Sequence, residues 1–241
     1  MDFANSREHA LLPRKNMPRD ENIIVGIDEA GRGPILGPLV LAALAFKEED
    51  IQKLEWLGVK DSKLLGSEVR EELFDRIHEI VHDFRIEMIE PDAIDLSLTE
   101  MNTNLNWLEA DTAARMAGEL QPMKLIVDCP SPNIEAYRKY FLGKIVPPLS
   151  AKAEIIVEHK ADLNYIVVGA ASIIAKVIRD RQIEKIKREI GIDFGSGYLT
   201  DPKTQKFLEN FHEKHAELFR KQWMPYKKLL EGKKQKKLGE F

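Results

Sequence analysis

Residues 23–34 read IIVGIDEAGRGP, and this stretch decides the fold class. Residues 23–27 are apolar and mostly β-branched, which predicts a buried strand, and Asp28 and Glu29 follow it directly. Neighbouring side chains of a strand face opposite sides, so one of these two acids must face the interior or line a cleft. The stretch therefore predicts a strand that delivers carboxylates to a functional site and then enters a glycine-rich turn.

Strand and helix patterns alternate along the rest of the chain. Apolar runs predict further strands at 39–46, 84–89, 125–127 and 154–157. Apolar residues at helical spacing predict helices that begin at Ser67, span Leu105–Leu120 and cover 167–186. This alternation predicts an α/β fold, a sheet with helices on its faces, and the last ~50 residues are expected to form a helical annex.

The composition of the 241 residues is that of a globular protein, with 44% hydrophobic and 32% charged side chains. It excludes wholesale disorder, a collagen-like repeat and a coiled coil. The net charge of -4 argues, taken alone, against nucleic-acid binding. From Arg220 onward, however, eight side chains are basic and two acidic, so an acidic body is joined to a basic tail. Such a tail is typical of nucleic-acid contact and equally of a solvated lysine segment.

The location is expected to be cytoplasmic. Cys129 is the single cysteine, so no intrachain disulfide can form, and a reducing compartment is the natural setting. No apolar run approaches the ~18 residues of a membrane span, and the first residues lack the pattern of a secretory or transit signal. No membrane contact is therefore predicted.

Three predicted strands end at or near carboxylates, namely those of Asp28 and Glu29, of Asp128, and of Asp162. Ligands of α/β sheets usually bind at strand ends, where such acids would repel one another unless cations lay between them. Hard oxygen ligands select Mg²⁺ or Mn²⁺, and a cluster of this kind is typical of two-metal phosphodiester cleavage. On spacing alone, helix caps or solvated loop residues remain an open alternative.

The turn at residues 31–37 has the spacing G-x-G-x-x-x-G. This misses the dinucleotide-binding fingerprint by one residue, and the preceding acids would repel a pyrophosphate. Glycines let the backbone approach a ligand closely, and Arg32 between two of them could reach a phosphate. A plain tight turn is the alternative.

Taken together, six motifs resemble type 2 ribonuclease H, specifically ribonuclease HII of the archaeal and eukaryotic catalytic-subunit kind. They are GIDEAGRGP at 26–34, DSK at 61–63, VD at 127–128, KAD at 160–162, AASIIAKVIRD at 170–180 and GSGYLTDP at 195–202. The resemblance spans roughly residues 23–225, in the order found in the family.

This resemblance implies a ribonuclease H-like mixed five-stranded sheet with helices on both faces and a C-terminal helical subdomain. The expected parts are a flexible N-terminal extension (1–22), a catalytic core (23–190), a helical substrate-binding region (191–230) and a basic tail (231–241). The family further implies a monomer.

The resemblance also implies a metal-dependent endoribonuclease that cleaves the RNA strand of RNA/DNA hybrids and ribonucleotides embedded in duplex DNA, leaving 3′-hydroxyl and 5′-phosphate ends. Its two Mg²⁺ or Mn²⁺ ions would be bound by four carboxylates: Asp28, Glu29, Asp128 and Asp162. Its contacts to the ribose 2′-hydroxyl would come from Gly31, Arg32 and Gly33. Its stacking residue at the RNA-to-DNA junction would be Tyr198. Candidate phosphate contacts are Lys63, Ser172 and Lys176.

The chain departs from the family pattern after the last aspartate. Residues 165–169 read YIVVG, where the family more often has Tyr-Pro-Val-Val-Ser, so Ile166 and Gly169 put in doubt the local helix start and a hydroxyl contact there. The four carboxylates are not affected.

The C-terminus resembles the Q-x-x-L-x-x-F core of sliding-clamp-binding peptides through Gln235, Leu238 and Phe241. An ordinary lysine tail is the alternative. Two other functional classes also remain open at this point: a DNA nuclease of the same superfold, which would not need Gly31, Arg32, Gly33 or Tyr198, and a non-catalytic nucleic-acid-binding protein, which would need no convergent acids.

Overall fold

Five strands form one mixed sheet in the computed structural model of the chain. The model describes residues 22–59, 65–99, 103–145, 149 and 153–231, and the backbone of 232–238. The strands are β1 (Ile23–Ala30), β2 (Leu39–Lys47), β3 (Asp83–Ile89), β4 (Lys124–Asp128) and β5 (Glu154–Glu158). Their order is β3-β2-β1-β4-β5. The β1-β2 and β2-β3 pairs are antiparallel, and the β1-β4 and β4-β5 pairs are parallel. The predicted mixed five-stranded sheet is confirmed.

Helices connect the strands and form the C-terminal part of the chain. Those described are α1 (Ile51–Trp56), α2 (Ser67–Ile80), α3 (Pro91–Thr99), α4 (Leu105–Leu120), α5 (Ile134–Lys144), α6 (Ala161–Asn164), α7 (Ile166–Ile190), α8 (Pro202–Phe211) and α9 (Met224–Leu238). Within the part of the chain that is described, no helix combines the length and apolarity needed to cross a membrane.

The sheet is covered on both faces. One apolar cluster packs β1 and β2 against α2 and α7, through residues such as Phe46, Phe74 and Ile174. The opposite face packs against α4 and α5, with Tyr137 and Phe141 in its core. This arrangement confirms helices on both faces of the sheet.

A third apolar cluster joins the C-terminal helices to the core. It contains Phe207 and Phe219 from the C-terminal part, together with Ile35 and Leu36 from the loop after β1 and Ile183 from α7. The C-terminal region is therefore packed directly on the glycine-rich loop.

Several elements differ from the sequence-based expectation. Strand β1 continues to Ala30, so Asp28 and Glu29 lie within its antiparallel ladder with β2 rather than after it. Helices α1, α3 and α5 were not predicted. Asn133 caps α5 by accepting a hydrogen bond from the Ala136 N–H. Helix α9 continues to Leu238, so the predicted basic tail begins with a helical backbone.

Some predicted features lie outside the described residues. These are the N-terminal extension apart from Asn22, the DSK motif with Lys63, and Phe241 of the candidate clamp-binding peptide. For Gln235 and Leu238 the structure describes only the backbone.

The position of α7 over β1 depends on Gly26. A Cβ atom at this position would overlap the backbone carbonyl of Val167, in the first turn of α7. The helix backbone can therefore approach the strand closely only because residue 26 has no side chain. This contact fixes the start of α7 relative to the acids on β1.

We expect Gly26→Ala to lower the free energy of unfolding by about 3 kcal/mol, because the added methyl group must push α7 off the sheet. The control is Gly143→Ala in α5, where an added Cβ meets nothing within 4 Å. This second variant should be neutral or stabilised by about 0.5–1 kcal/mol, since alanine favours a helix. Urea denaturation measures both, and a Gly26→Ala protein as stable as wild type would contradict the packing argument.

Candidate active site

Three carboxylates meet where β4 ends beside β1. The parallel register pairs Ile27 with Val127, which places the following aspartates next to each other. Asp28, Glu29 and Asp128 each offer a carboxylate oxygen, and these oxygens all lie within 4.8 Å of one another. The convergence that the sequence suggested is thus present for three of the four acids.

Asp162 is brought to the edge of this group by a tight turn after β5. The Ala161 N–H donates a hydrogen bond of 2.6 Å to Asp128 Oδ1, so Asp128 fixes the start of α6. Lys160, just before it, has a positive φ of 56°, a conformation that costs a residue with a side chain roughly 1–3 kcal/mol. The turn leaves Asp162 only 4% exposed, close enough for its charge to raise the pKa of Asp28.

Burial and mutual repulsion disfavour ionised carboxylates at this site. The pKa of Asp28 is raised to about 7, first by burial and then by the charge of Asp128, while hydrogen bonds from Ser172 and the Glu29 N–H oppose the shift. Burial, followed by the charges of Asp28 and Glu109, raises the pKa of Glu29 well above its usual range. A cation would relieve this repulsion, and carboxylate oxygens are the ligands that Mg²⁺ and Mn²⁺ prefer. The residues present fit a divalent metal centre.

Two of the candidate phosphate contacts lie on α7. Ser172 is buried, and its hydroxyl group hydrogen-bonds to the Asp28 carboxylate. Lys176, one turn further along, lies with its Nζ atom 2.8 Å from Asp180 Oδ1. Lys176 also lines an open groove of about 810 Å³ together with Arg179 and Tyr198. Ser172 therefore supports the acidic group itself, and Lys176 lies in a groove beside it.

The guanidinium group of Arg32 is turned onto α4. It donates to the carboxylate of Glu109, and its Nη2 atom lies 2.6 Å from the side-chain oxygen of Asn106. Glu109 is 1% exposed, and burial raises its pKa to about 7 although Arg32 opposes the shift. Arg32 thus neutralises a buried acid. Because its side chain is engaged there, the groups that residues 31–33 leave available are mainly backbone groups.

Tyr198 lies against the glycine-rich loop. A Cβ atom on Gly33 would stand 3.6 Å from Tyr198 Cε1, so the ring and the loop border the same space. Arg179 lies beside this ring, with its guanidinium carbon 5.2 Å from the ring centroid. Its Nη2 atom donates a 2.6 Å hydrogen bond to the Ser196 carbonyl. Arg179 thereby holds the loop that carries Tyr198.

Sequence reasoning missed four polar residues around the site, namely Asn106, Glu109, Arg179 and Arg220. A signal did exist for Glu109, which occupies a position on the apolar face of α4 otherwise filled by residues such as Ala113 and Met116. A charged residue on a buried face needs a partner of opposite charge, and that partner is Arg32. For Arg220, which the sequence places in a basic segment, burial is visible only in the structure.

Comparison with known proteins identifies one family. A family model described as Ribonuclease HII matches residues 25–225. Ribonuclease HII of Pyrococcus furiosus is 44% identical over 217 residues, which cover 89% of this chain and 94% of the relative.

Solved structures agree with that match. The crystal structure of the ribonuclease H2 from Pyrococcus horikoshii OT3 superposes with a TM-score of 0.76 at 37% identity, covering 87% of this chain and 97% of the other. The PCNA:RNase HII complex from Archaeoglobus fulgidus superposes with a TM-score of 0.69 at 37% identity, covering 79% of this chain and 87% of that one. Both similarities extend over most of the chain.

We expect Asp28→Asn to stabilise the metal-free protein at pH 8 by on the order of 2 kcal/mol, because it removes a buried charge that its neighbours repel. Millimolar Mg²⁺ or Mn²⁺ should raise the melting temperature of the wild type and raise that of the variant much less. Thermal unfolding with and without metal measures both effects. The exposed Asp75→Asn is the matched control and should change neither. An Asp28→Asn protein less stable than wild type without metal would contradict this electrostatic account.

Proposed function

The chain belongs to the ribonuclease HII family, which makes it a metal-dependent endoribonuclease of RNA/DNA hybrids, and we propose that its reaction takes place at the acidic cluster on β1 and β4. The observation that carries this proposal is the convergence of Asp28, Glu29 and Asp128 within 4.8 Å. Cleavage by the family leaves 3′-hydroxyl and 5′-phosphate ends.

The proposed metal ligands are Asp28, Glu29, Asp128 and Asp162. Their support is the raised pKa of Asp28 and Glu29, which marks acids that a cation would stabilise in ionised form. Two Mg²⁺ or Mn²⁺ ions bound there would supply Lewis acidity and neutralise charge on the scissile phosphate. Asp28 is central, since both Asp128 and Asp162 act on its charge. The enzyme is proposed to act as a monomer.

The proposed sugar-recognition elements are Gly31, Arg32 and Gly33 with Tyr198. Only the 2′-hydroxyl distinguishes RNA from DNA at a given nucleotide, so a backbone-lined site next to the acids suits its recognition. Tyr198 borders the same space and would stack on the neighbouring sugar. Arg179 lies against this ring. The proposed recognition of the sugar therefore depends on backbone groups and one aromatic ring.

The remaining residues have supporting roles. Ser172 would orient the Asp28 carboxylate through its hydroxyl group. Lys176, in the groove beside Tyr198, would meet the nucleic-acid backbone, as would Lys63. The proposed parts of the chain are a catalytic core at 23–190 and a helical substrate-binding region at 191–230.

A duplex DNA that carries one ribonucleotide, incubated with Mg²⁺, tests the function directly. We expect one cut beside the ribonucleotide with a 5′-phosphate product, and we expect Asp128→Asn to lower the rate by about 10³-fold or more, because it removes a ligand charge. Mapping the labelled ends on a sequencing gel locates the cut. The control Asp111→Asn alters a half-exposed acid paired with Lys144, away from the site, and should cleave normally.

Two results of the same assay would overturn the proposal. Equal cleavage of an all-DNA duplex would indicate a DNA nuclease of the same superfold. Hybrid binding without metal and without cleavage would indicate a non-catalytic binding protein.

The C-terminal residues are proposed to bind a sliding clamp through Gln235, Leu238 and Phe241. Support comes from the motif itself and from the related Archaeoglobus fulgidus enzyme, which has been solved in a complex with PCNA. Helix α9 leads to this segment from the C-terminal region. Clamp binding would place the cytoplasmic enzyme on DNA during replication and repair.

Deletion of residues 233–241 should abolish binding to the cognate clamp, because it removes the three motif positions. Cleavage of a short hybrid without clamp should remain near the wild-type rate. Surface plasmon resonance measures the first effect and a gel assay the second. The charge-matched control replaces Gln235, Leu238 and Phe241 by alanine and leaves every lysine in place. If this control still bound the clamp as wild type does, the motif would not be the binding element.

A further inference from the structure

Arg220 is an arginine buried completely against the glycine-rich loop. It is 0% exposed, and its guanidinium group donates to three loop carbonyls. Nη2 donates to the Gly31 oxygen at 2.5 Å, and Nη1 donates to the Arg32 oxygen at 2.8 Å. Nη2 and Nε also donate to the Gly37 oxygen, at 3.0 and 3.2 Å. One side chain from the C-terminal region thus holds both ends of the loop.

These bonds fix the direction of two peptide planes. In a trans peptide the carbonyl oxygen and the following N–H point in opposite directions. Because Arg220 holds the carbonyls of Gly31 and Arg32, the N–H groups of Arg32 and Gly33 point away from it. Among the described residues, neither N–H donates to a protein acceptor. Arg220 therefore aims two donors out of the loop, beside the acidic cluster.

The rest of the loop is held by the same part of the chain. The Arg220 N–H donates to the Ile35 carbonyl at 2.9 Å, and the Gly37 N–H donates to the Leu218 carbonyl at 3.0 Å. A short antiparallel bridge joins Leu36 to Phe219. These contacts set where the loop lies, whereas in the described part of the chain the hydrogen bonds that orient its first two peptides come from the guanidinium group.

We propose that Arg220 is a positioning residue for sugar discrimination, acting through the Arg32 and Gly33 N–H groups that it aims at the ribose 2′-hydroxyl. The inference rests on the proposed function of this loop. In this proposal a residue of the C-terminal region influences specificity by positioning the loop, although Arg220 itself touches no substrate.

Arginine suits this position for geometric reasons. Its planar guanidinium group has donors in a fixed fork, so one side chain can serve carbonyls that point at it from different parts of a loop. Trp223 covers it, with the ring centroid 5.1 Å from the guanidinium carbon. Burial lowers its pKa, but only to about 10, so the donor set stays complete at neutral pH. Lysine carries the same charge, but its three N–H donors share one nitrogen atom and cannot reproduce the spread of these bonds.

The experiment compares binding to two duplexes of one sequence, an all-DNA duplex and the same duplex with one ribonucleotide. Fluorescence anisotropy in Ca²⁺, chosen to limit cleavage, gives both affinities, and their ratio is the discrimination. We expect Arg220→Lys and Arg220→Gln to lower this ratio at least tenfold while affinity for the all-DNA duplex changes less than twofold. In an amide NMR spectrum, the Arg32 and Gly33 signals should move, and those of residues on α5 should not.

The matched control is Phe207→Leu, a buried change in the same C-terminal cluster that leaves Arg220 in place. It should lower the melting temperature and keep the discrimination ratio. If the Arg220 variants lost stability but kept the ratio, the residue would be purely structural and the inference would be overturned. If one of the two Arg220 variants does not fold, the discrimination ratio of the other decides the question. A wild-type protein without preference for the ribonucleotide duplex would instead overturn the proposed function of the loop.

Discussion

Electrostatic repulsion among buried carboxylates is the constraint on which this structure depends. Parallel pairing of β1 with β4 brings the acids of two strands to one point, where water is too scarce to screen their charges. The surrounding structure resists that repulsion: α7 lies tightly on Gly26, and Asp128 is tied to the backbone of α6. The stable scaffold thus keeps together groups that would separate if they were free to move.

Positive charge near the site serves mainly to position protein groups. Arg32 neutralises Glu109, Arg179 holds the Ser196 carbonyl beside Tyr198, and Arg220 holds the carbonyls of the glycine-rich loop. Each of these arginines has its donors directed at the protein. The groups left available at this loop are backbone N–H groups and an aromatic ring, which are rigid and would cost little conformational entropy on binding. Such preorganisation would suit the sugar recognition proposed for this loop.

The sequence predicted the parts of the structure that depend on local signals. Helix α4 has the predicted bounds because Asn104 caps it and its apolar spacing is regular. Strand β1 is longer than predicted, since Asp28 and Glu29 keep their backbone pairing with β2 despite their charges. The convergence of Asp28, Glu29 and Asp128 was expected because predicted strands end at or near these acids. Glu109 and Arg220 were not, because their partners lie far away in sequence and only the folded chain brings them together.

The bond between Arg220 and Gly31 joins residues 189 positions apart. A ribosome adding 5–20 residues per second makes the first long before the second, with a delay of roughly 10–40 s. During that interval the acid-bearing strands can already form, while the loop beside them lacks the donor that orients its peptides. If Arg220 positions the loop as proposed, sugar discrimination would depend on a residue made late in synthesis, and a chain that ended before residue 220 would lack the donor that orients these peptides.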